Sequence, residues 1–159
     1  MARPRGRSKR GERCRASIPH NHWKTTTLVA ALTLGGIVAP MIVDDAMDGD
    51  MFTAYVKTLL CRELKSGDIV IMDNLPAHKV TAAREAIEAK GAYLLFLPAY
   101  SPDFNPIEKA INQIKAHLKK VAARTKEALD KAIAEAIDLV TPKNAENYFN
   151  ACGYHVDTV

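Results

Sequence analysis

The sequence predicts a single α/β domain with a mixed sheet flanked by helices, and three observations support this class. Two apolar runs rich in β-branched residues flank Gly35-Gly36, which is typical of an antiparallel hairpin. Two short, continuously apolar runs, Ile69 to Met72 and Tyr93 to Leu97, are typical of buried parallel strands. Amphipathic segments separate these runs, so the strands have to be connected through helices.

The N-terminal part of the domain is predicted to be a hairpin followed by a helix. Trp23 to Leu34 and Ile37 to Val43 provide the two strands. Asp50 is expected to cap a helix whose apolar residues recur near the helical period. Ser66-Gly67 is expected to end this unit before the first buried strand.

The C-terminal part is predicted to be mostly helical. A helix is expected from about residues 76–79 to Ala89, with Gly91 as the left-handed residue after its end. A Pro-rich loop, residues 98–105, follows the second buried strand. The start signals of three further helices are Asn105-Pro106, Thr125 and Thr141-Pro142.

Composition excludes several classes of protein. The chain has 159 residues, of which 48% are hydrophobic and 25% are charged, as in an ordinary globular domain. Its longest apolar run is interrupted by glycines and a proline and falls short of the roughly 20 residues of a membrane helix, so no membrane partner is expected. The three cysteines, Cys14, Cys61 and Cys152, lie far apart and are expected to be free thiols in a reducing compartment.

The positive charge is concentrated in two segments. Residues 1–15 carry seven basic residues and one acid, a net charge of +6, and the rest of the chain carries −2. A second basic cluster consists of Lys109, Lys115, Lys119, Lys120, Arg124 and Lys126. Such clusters favour a polyanion partner such as DNA, while the alternative for residues 1–15 is a solvated leader.

Two carboxylates stand just beyond the two buried strands. Asp73 directly follows the first strand, and Glu108 lies in the first turn of the helix after the second strand. The two acids are separated by 34 residues. Sites in open α/β sheets form at the carboxyl ends of strands, and Mg²⁺ prefers oxygen ligands. The pair therefore indicates a metal site for phosphoryl transfer. Structural alternatives remain open for both: Asp73-Asn74 as a turn that caps the next helix, and Asn105-x-x-Glu108 as a capping box.

The segments that carry these carboxylates resemble the mariner-like DDE transposases of bacterial insertion sequences. The matching segments are Met72-Asp-Asn-Leu-Pro-Ala-His-Lys79, Leu97-Pro-Ala-Tyr-Ser-Pro-Asp-Phe-Asn-Pro-Ile-Glu108 and His22-Trp-Lys-Thr-Thr-Thr27. The resemblance extends from about residue 2 to the C-terminus. It implies a ribonuclease-H-like fold and cutting and joining of DNA with two Mg²⁺ or Mn²⁺ ions.

The resemblance also implies roles for individual residues. Asp73 is expected to be the second catalytic and metal-binding carboxylate and Glu108 the third. Asn74 and His78 match the motif as supporting residues that orient the site or the DNA, although a helix cap is an equal alternative for His78. Lysines of the second basic cluster are the expected DNA contacts, namely Lys109, Lys115, Lys119 and Lys120.

The sequence departs from the family in one respect. The first catalytic aspartate of the family lies on a strand that precedes the segment corresponding to Met1-Ala-Arg. We therefore expect an incomplete catalytic domain over 23–159 that lacks its central first strand, after an irregular basic leader over 1–22. Asp44 and Asp45 are expected to be loop acids too far from Asp73 to replace the missing ligand. For the same reason, we expect the family's N-terminal, DNA-reading helix-turn-helix domain to be absent.

These observations favour a C-terminal fragment of a DDE transposase that is inactive alone. The alternative is a non-catalytic remnant that binds DNA or a full-length transposase and modulates it. The expected partners are transposon ends, target DNA and a transposase subunit of the same or a longer kind, in the bacterial cytoplasm at the nucleoid. A small phosphate-handling α/β protein is disfavoured because neither G-x-x-x-x-G-K nor G-x-G-x-x-G occurs.

Overall fold

The computed structural model describes residues 6–15, 25–75, 78–99 and 101–155. It contains two pairs of strands: β1 (Thr27–Thr33) with β2 (Gly36–Val43), antiparallel, and β3 (Ile69–Met72) with β4 (Tyr93–Phe96), parallel. The helices are α1 (Gly49–Tyr55), a π-helical turn (Val56–Leu60), α2 (Cys61–Glu63), α3 (Thr81–Glu88), a 3₁₀ turn (Pro102–Phe104), α4 (Pro106–Val121), α5 (Lys126–Asp138) and α6 (Pro142–Ala151). The predicted mixed α/β class is confirmed.

The hairpin folds as its Gly-Gly turn predicts, with one irregularity. The pairing register shifts between Val29 and Ala31, opposite Ala39, whose φ of 49° is left-handed. At Gly36 φ is 119°, and a Cβ would lie 2.8 Å from the carbonyl oxygen of Val140. Because any larger residue would collide with backbone there, the turn requires glycine and brings the hairpin against the end of α5.

The strand pairs share one layer of helices without being joined to each other. Within the described residues no hydrogen-bonded pairing connects β1–β2 to β3–β4. Nevertheless, Val29 and Met41 of the hairpin and Val70 and Met72 of β3 pack against the same buried cluster. We call this cluster the first core; its buried members are Phe52, Tyr55, Val56, Leu60, Cys61, Ala83, Ile87 and Ala92.

A second core lies on the opposite face of the hairpin. It is formed by α4, α5 and the segment before α6, and Leu28 and Leu32 of β1 pack against it. Its buried members are Ala110, Ile114, Leu118, Ala132, Ile133, Ala136 and Val140. The alternation along β1 therefore places the hairpin between two apolar layers.

Among the described residues, no helix layer covers the outer face of the β3–β4 pair. Ile69, Tyr93 and Leu95 are 61%, 66% and 52% exposed. Parallel strands are ordinarily covered on both faces. The prediction that both strands are buried is therefore wrong for this face, where apolar side chains lie at the surface. No helix in the described part of the chain has the length and apolar character needed to cross a bilayer.

The helix caps follow the sequence in two cases and differ from it in one. Thr125 accepts from the amide of Ala128 at 3.2 Å, and Thr141 forms a capping box with Asn144, as expected. The prediction that Asp50 caps α1 is wrong, because Asp48 accepts from the amide of Met51 at 2.8 Å and the helix begins at Gly49. The earlier start places Phe52 and Tyr55 in the first core.

Candidate active site

The parallel register of β3 and β4 brings the two sequence motifs together. Met72 lies opposite Phe96, and the amide of Leu97 donates to the carbonyl of Met72 at 2.8 Å. The pairing therefore continues to the point where both strands end. Asp73 leaves one strand beside the start of the Pro-rich loop that leads to Glu108. This is the carboxyl edge of the strands, as the sequence predicted.

The two predicted carboxylates line one cleft of about 410 Å³. Asp73 lies on the side of β3, and Glu108 enters from the first turn of α4. The other lining residues come from the strand ends and the loop; they are Asn74, Leu75, Leu97, Pro98, Ala99, Ser101, Pro102 and Asn105. A concave site with two convergent acids has the chemistry to hold a hydrated divalent cation.

A histidine contacts the Asp73 side chain on its inner side. The Nδ1 atom of His78 lies 2.5 Å from Oδ1 of Asp73, and the His78 ring packs 4.5 Å from the ring of Phe52. Both contacting atoms are shielded from solvent, and neither has a well-directed hydrogen bond to any described residue. The Asp73 side chain as a whole is still 41% exposed, so it is accessible to a ligand in the cleft.

The helix-cap alternatives for the motif residues are not realised. α3 begins at Thr81 with Val80 at its cap, two residues after His78. At the start of α4, Asn105 occupies the cap position but its side chain makes no capping hydrogen bond. Asn105 instead lines the cleft, a placement that the sequence reasoning missed. Glu108 is thus exposed in the first turn of α4 without a reciprocal capping partner.

The loop before Glu108 is tied to the C-terminal end of the chain. Its 3₁₀ turn is closed by the amide of Asn105, which donates to Pro102 at 3.0 Å. The Tyr154 hydroxyl donates to the carbonyl of Phe104 at 2.9 Å. Burial raises the pKa of Tyr154, so its hydroxyl is a donor over the whole physiological range. These bonds add to the stiffness that the prolines give the loop.

Asp44 and Asp45 are not among the described residues that line the cleft. Asp44 contacts the Lys126 ammonium at 3.0 Å, and Lys126 is also held by Asp130 at 2.6 Å. These two carboxylates raise the pKa of Lys126. Asp45 accepts from the amide of Ala46 at 2.7 Å. Within the described residues, no three acidic, histidine or cysteine side chains lie together in a way suited to hold a metal ion.

Comparison with known families identifies the chain. The profile of the DDE superfamily endonucleases matches residues 1–130. The chain belongs to this family. The matched segment contains Asp73, Glu108 and the loop between them, so the family assignment and the cleft concern the same residues.

Solved structures show that the DDE endonuclease fold is shared with mariner transposase Mos1. The Mos1 paired-end complex with Mn aligns with a TM-score of 0.74 at 18% identity, covering 94% of this chain and 47% of that one. The Mos1 catalytic domain with Raltegravir and Mn aligns with a TM-score of 0.60 at 17% identity, covering 84% and 78%. The chain thus spans about half the length of the Mos1 chain in the first of these. The predicted ribonuclease-H-like class and the mariner resemblance are confirmed. A search of curated proteins found no match.

The cleft fits a divalent cation as a site with two protein carboxylates. Mg²⁺ commonly binds through one or two carboxylates, retains several waters and completes its shell with substrate phosphates. Asp73 and Glu108 supply such carboxylates, while Asn74 and Asn105 supply amide groups at the same cleft.

The four predicted DNA-contacting lysines of α4 divide into two sets. Lys115 and Lys119 are exposed and follow Glu108 by 7 and 11 residues, which places all three on one helix face. At 1.5 Å per residue, these lysines lie about 10 and 16 Å along the helix from Glu108. Lys109 and Lys120 are turned away from that face, and Lys109 lies close enough to Cys152 to lower its pKa, against the larger effect of burial.

Proposed function

We propose that this chain binds DNA and holds Mg²⁺ or Mn²⁺ between Asp73 and Glu108, as the partial active site of a DDE endonuclease. The observation that carries the proposal is that both carboxylates line the same cleft although 34 residues separate them in the chain. The Mos1 structures in the comparison include complexes with Mn and with Mg.

Each residue of the cleft has a distinct task in this proposal. Asp73 and Glu108 bind the cation, and His78 together with Phe52 sets the orientation of Asp73. Asn74 and Asn105 lie where they can donate hydrogen bonds to phosphate or to metal-bound water. The bound cation would polarise a DNA phosphodiester and stabilise the charge that develops in its cleavage.

DNA is the substrate class that the surface of α4 favours. Lys115 and Lys119 extend the cleft into a positive track on the Glu108 face, which suits a phosphate backbone. One structurally similar protein is a Mos1 paired-end complex with the left transposon end. For this chain we propose transposon ends and target DNA as the ligands, in the nucleoid of its host.

We further propose that the chain alone leaves DNA uncut. The resemblance implies three carboxylates for two ions, whereas the described cleft contains two. With two carboxylates, a second ion at the same phosphate would lack protein ligands that fix it in place.

Metal binding tests the first part of this proposal. Mn²⁺ titration followed by electron paramagnetic resonance should show one site in the unaltered chain. Asp73→Asn and Glu108→Gln should each weaken it by about tenfold or more, since even indirect partners of metal sites contribute 10–100-fold. Asp103→Asn, which removes an exposed acid from the same loop, is the matched control. Equal effects in all three variants would contradict the proposal.

Cleavage assays test the second part. The purified chain should leave supercoiled plasmid DNA and duplexes with transposon ends intact in the presence of Mg²⁺ or Mn²⁺. Nicking that the unaltered chain performs and that Asp73→Ala abolishes would refute the proposed inactivity.

A second candidate function is binding of another transposase subunit. The exposed apolar face of β3–β4, which contains Ile69, Tyr93 and Leu95, favours it. Light scattering of the chain, alone and mixed with a full-length transposase, should show association that the double variant Tyr93→Lys/Leu95→Lys abolishes. A chain that stays monomeric both alone and in the mixture with a full-length transposase would exclude this role.

A further inference from the structure

A second cleft adjoins the carboxylate cleft and has the opposite charge. It has a volume of about 310 Å³ and is lined by Asn74, His78, Lys79, Val80, Arg84 and Phe96. Asn74 lines both clefts, and His78 reaches from this one to Asp73 at 2.5 Å. A ligand that extends past Asn74 would therefore occupy both.

The lining of this cleft suits an anion. Its charged members are the cations Lys79 and Arg84, and none of the described residues that line it is acidic. Glu88 lies outside the lining and contacts Arg84 at 3.4 Å. Both side chains of that pair are about half exposed, so it is weak and leaves the guanidinium available.

The arginine is positioned before any ligand arrives. Its guanidinium carbon lies 5.6 Å from the centre of the Phe96 ring, within the range of a cation–π contact. Phe96 is the last residue of β4, so a strand fixes the ring. A planar guanidinium held in this way can offer two parallel N–H donors to a phosphate, which a lysine cannot do.

The size and the lining of the cleft indicate what kind of phosphate-containing ligand it accepts. Its volume is at the lower end of the range for small-ligand sites, about 300–1,000 Å³, which leaves room for more than a bare ion. Val80 and Phe96 provide apolar surface beside the cations. These features match one nucleotide unit, with its phosphate on the cations and its sugar or base on the apolar wall.

We propose that the cleft of Arg84 and Lys79 binds a backbone phosphate of the DNA strand. This phosphate lies next to the one at the cation held by Asp73 and Glu108. This inference rests on the proposed function, since it takes DNA as the ligand of the neighbouring cleft. It adds Arg84 as the guanidinium that sets the register of the strand.

A charge-removal experiment tests the proposal. The full chain is titrated, without divalent cations, into labelled duplexes that are identical except for one uncharged methylphosphonate at successive positions. For the unaltered chain, one position should weaken binding by about tenfold, the usual size of a charged hydrogen bond. Arg84→Gln should weaken binding to the unmodified duplex equally, be insensitive to the modification at that position, and lower the salt slope by about one.

Matched variants separate this site from general charge. Arg62→Gln removes an exposed arginine on α2, and Lys57→Gln removes an exposed lysine from the π-helical turn. Both should bind within about twofold of the unaltered chain, whereas Lys79→Gln should lose sensitivity to the modification at the same position as Arg84→Gln. All four positions are exposed, and thermal unfolding confirms that each variant is folded.

Several results would overturn the inference. The inference is overturned if Arg84→Gln and Arg62→Gln weaken DNA binding equally. It is also overturned if the modification weakens binding of Arg84→Gln at every position as it does for the unaltered chain, or if the chain binds no DNA. If inorganic phosphate or a mononucleotide competes with the duplex while no methylphosphonate position weakens binding, the cleft is a site for a free anion instead. No metal is present in this DNA titration, so the two proposals can fail separately. The Mn²⁺ titration of Asp73→Asn tests the carboxylate site, whereas the DNA titration tests the cleft of Arg84 and Lys79.

Discussion

The second core and the region around β3 and β4 differ in how completely they satisfy the ordinary rules of packing. At the second core, α5 and α6 begin at functioning caps, Thr125 and Thr141, and Ile114 is 2% exposed. Around β3 and β4, apolar residues face solvent and Asn105 does not cap its helix. Buried atoms of Asp73 and His78 also lack well-directed hydrogen bonds to any described residue. Local folding rules commonly fail where residues bind a ligand, and both clefts lie in the region around β3 and β4.

Core truncation should give the largest difference between the two regions. Ile114→Ala should lower the free energy of unfolding by about 2–5 kcal/mol, because it removes buried methylene groups and leaves a cavity. Ile69→Ala, at a 61% exposed position of β3, should change it by less than about 0.5 kcal/mol. Urea unfolding of both variants measures this. Similar losses would mean that the outer face of β3–β4 is covered in solution.

Alkaline pH should reveal the buried phenol of the first core. Burial raises the pKa of Tyr55 to about 12, and its hydroxyl has no hydrogen-bond partner among the described residues. Below pH 10 both the folded and the unfolded chain keep the proton, so stability is unaffected. Between pH 10 and 12 the unfolded chain ionises first, and stability should fall by about 2–3 kcal/mol.

Tyr55→Phe is the control for this pH effect. The variant should be at least as stable as the unaltered chain at pH 7, because it removes an unpaired buried hydroxyl. Its loss of stability from pH 10 to 12, followed by denaturant unfolding at each pH, should be smaller than that of the unaltered chain. Parallel curves would show that Tyr55 is hydrated or paired in solution.

Removal of helix caps should give the smallest difference. Thr125→Ala should lower the free energy of unfolding by about 1 kcal/mol, since it removes the hydrogen bond to the Ala128 amide. Asn105→Ala should have almost no effect on stability, because the Asn105 side chain makes no such bond. Chemical denaturation distinguishes the two, and a substantial loss in Asn105→Ala would restore the capping interpretation of this motif.

Local signals in the sequence predicted most of the secondary structure. The Gly35-Gly36 turn, the caps at Thr125 and Thr141 and the two parallel strands are each specified by neighbouring residues. Asp48 and Asp50 are equally good caps by type, and which one acts depends on how Phe52 and Tyr55 pack. The π-helical turn Val56–Leu60, which contacts α3 and β2, was not predicted from the sequence.

The candidate site was predictable as far as strand ends could be located. Asp73 and Glu108 each follow a recognisable strand, and parallel strands end at one edge, so their convergence was expected. The contact of Arg84 with Phe96 was not, since it joins residues of α3 and β4 through tertiary packing. Asn105 looked like a cap because the sequence gives residue type and spacing but no side-chain direction.

The convergence of two remote carboxylates on one cation can be observed directly. Crystals of the chain soaked in Mn²⁺ should give an anomalous difference peak in the cleft, within ligand distance of both Asp73 and Glu108, and Asp73→Asn crystals should lose it. A peak bound by only one of these carboxylates, or peaks confined to other surfaces, would contradict the proposed site.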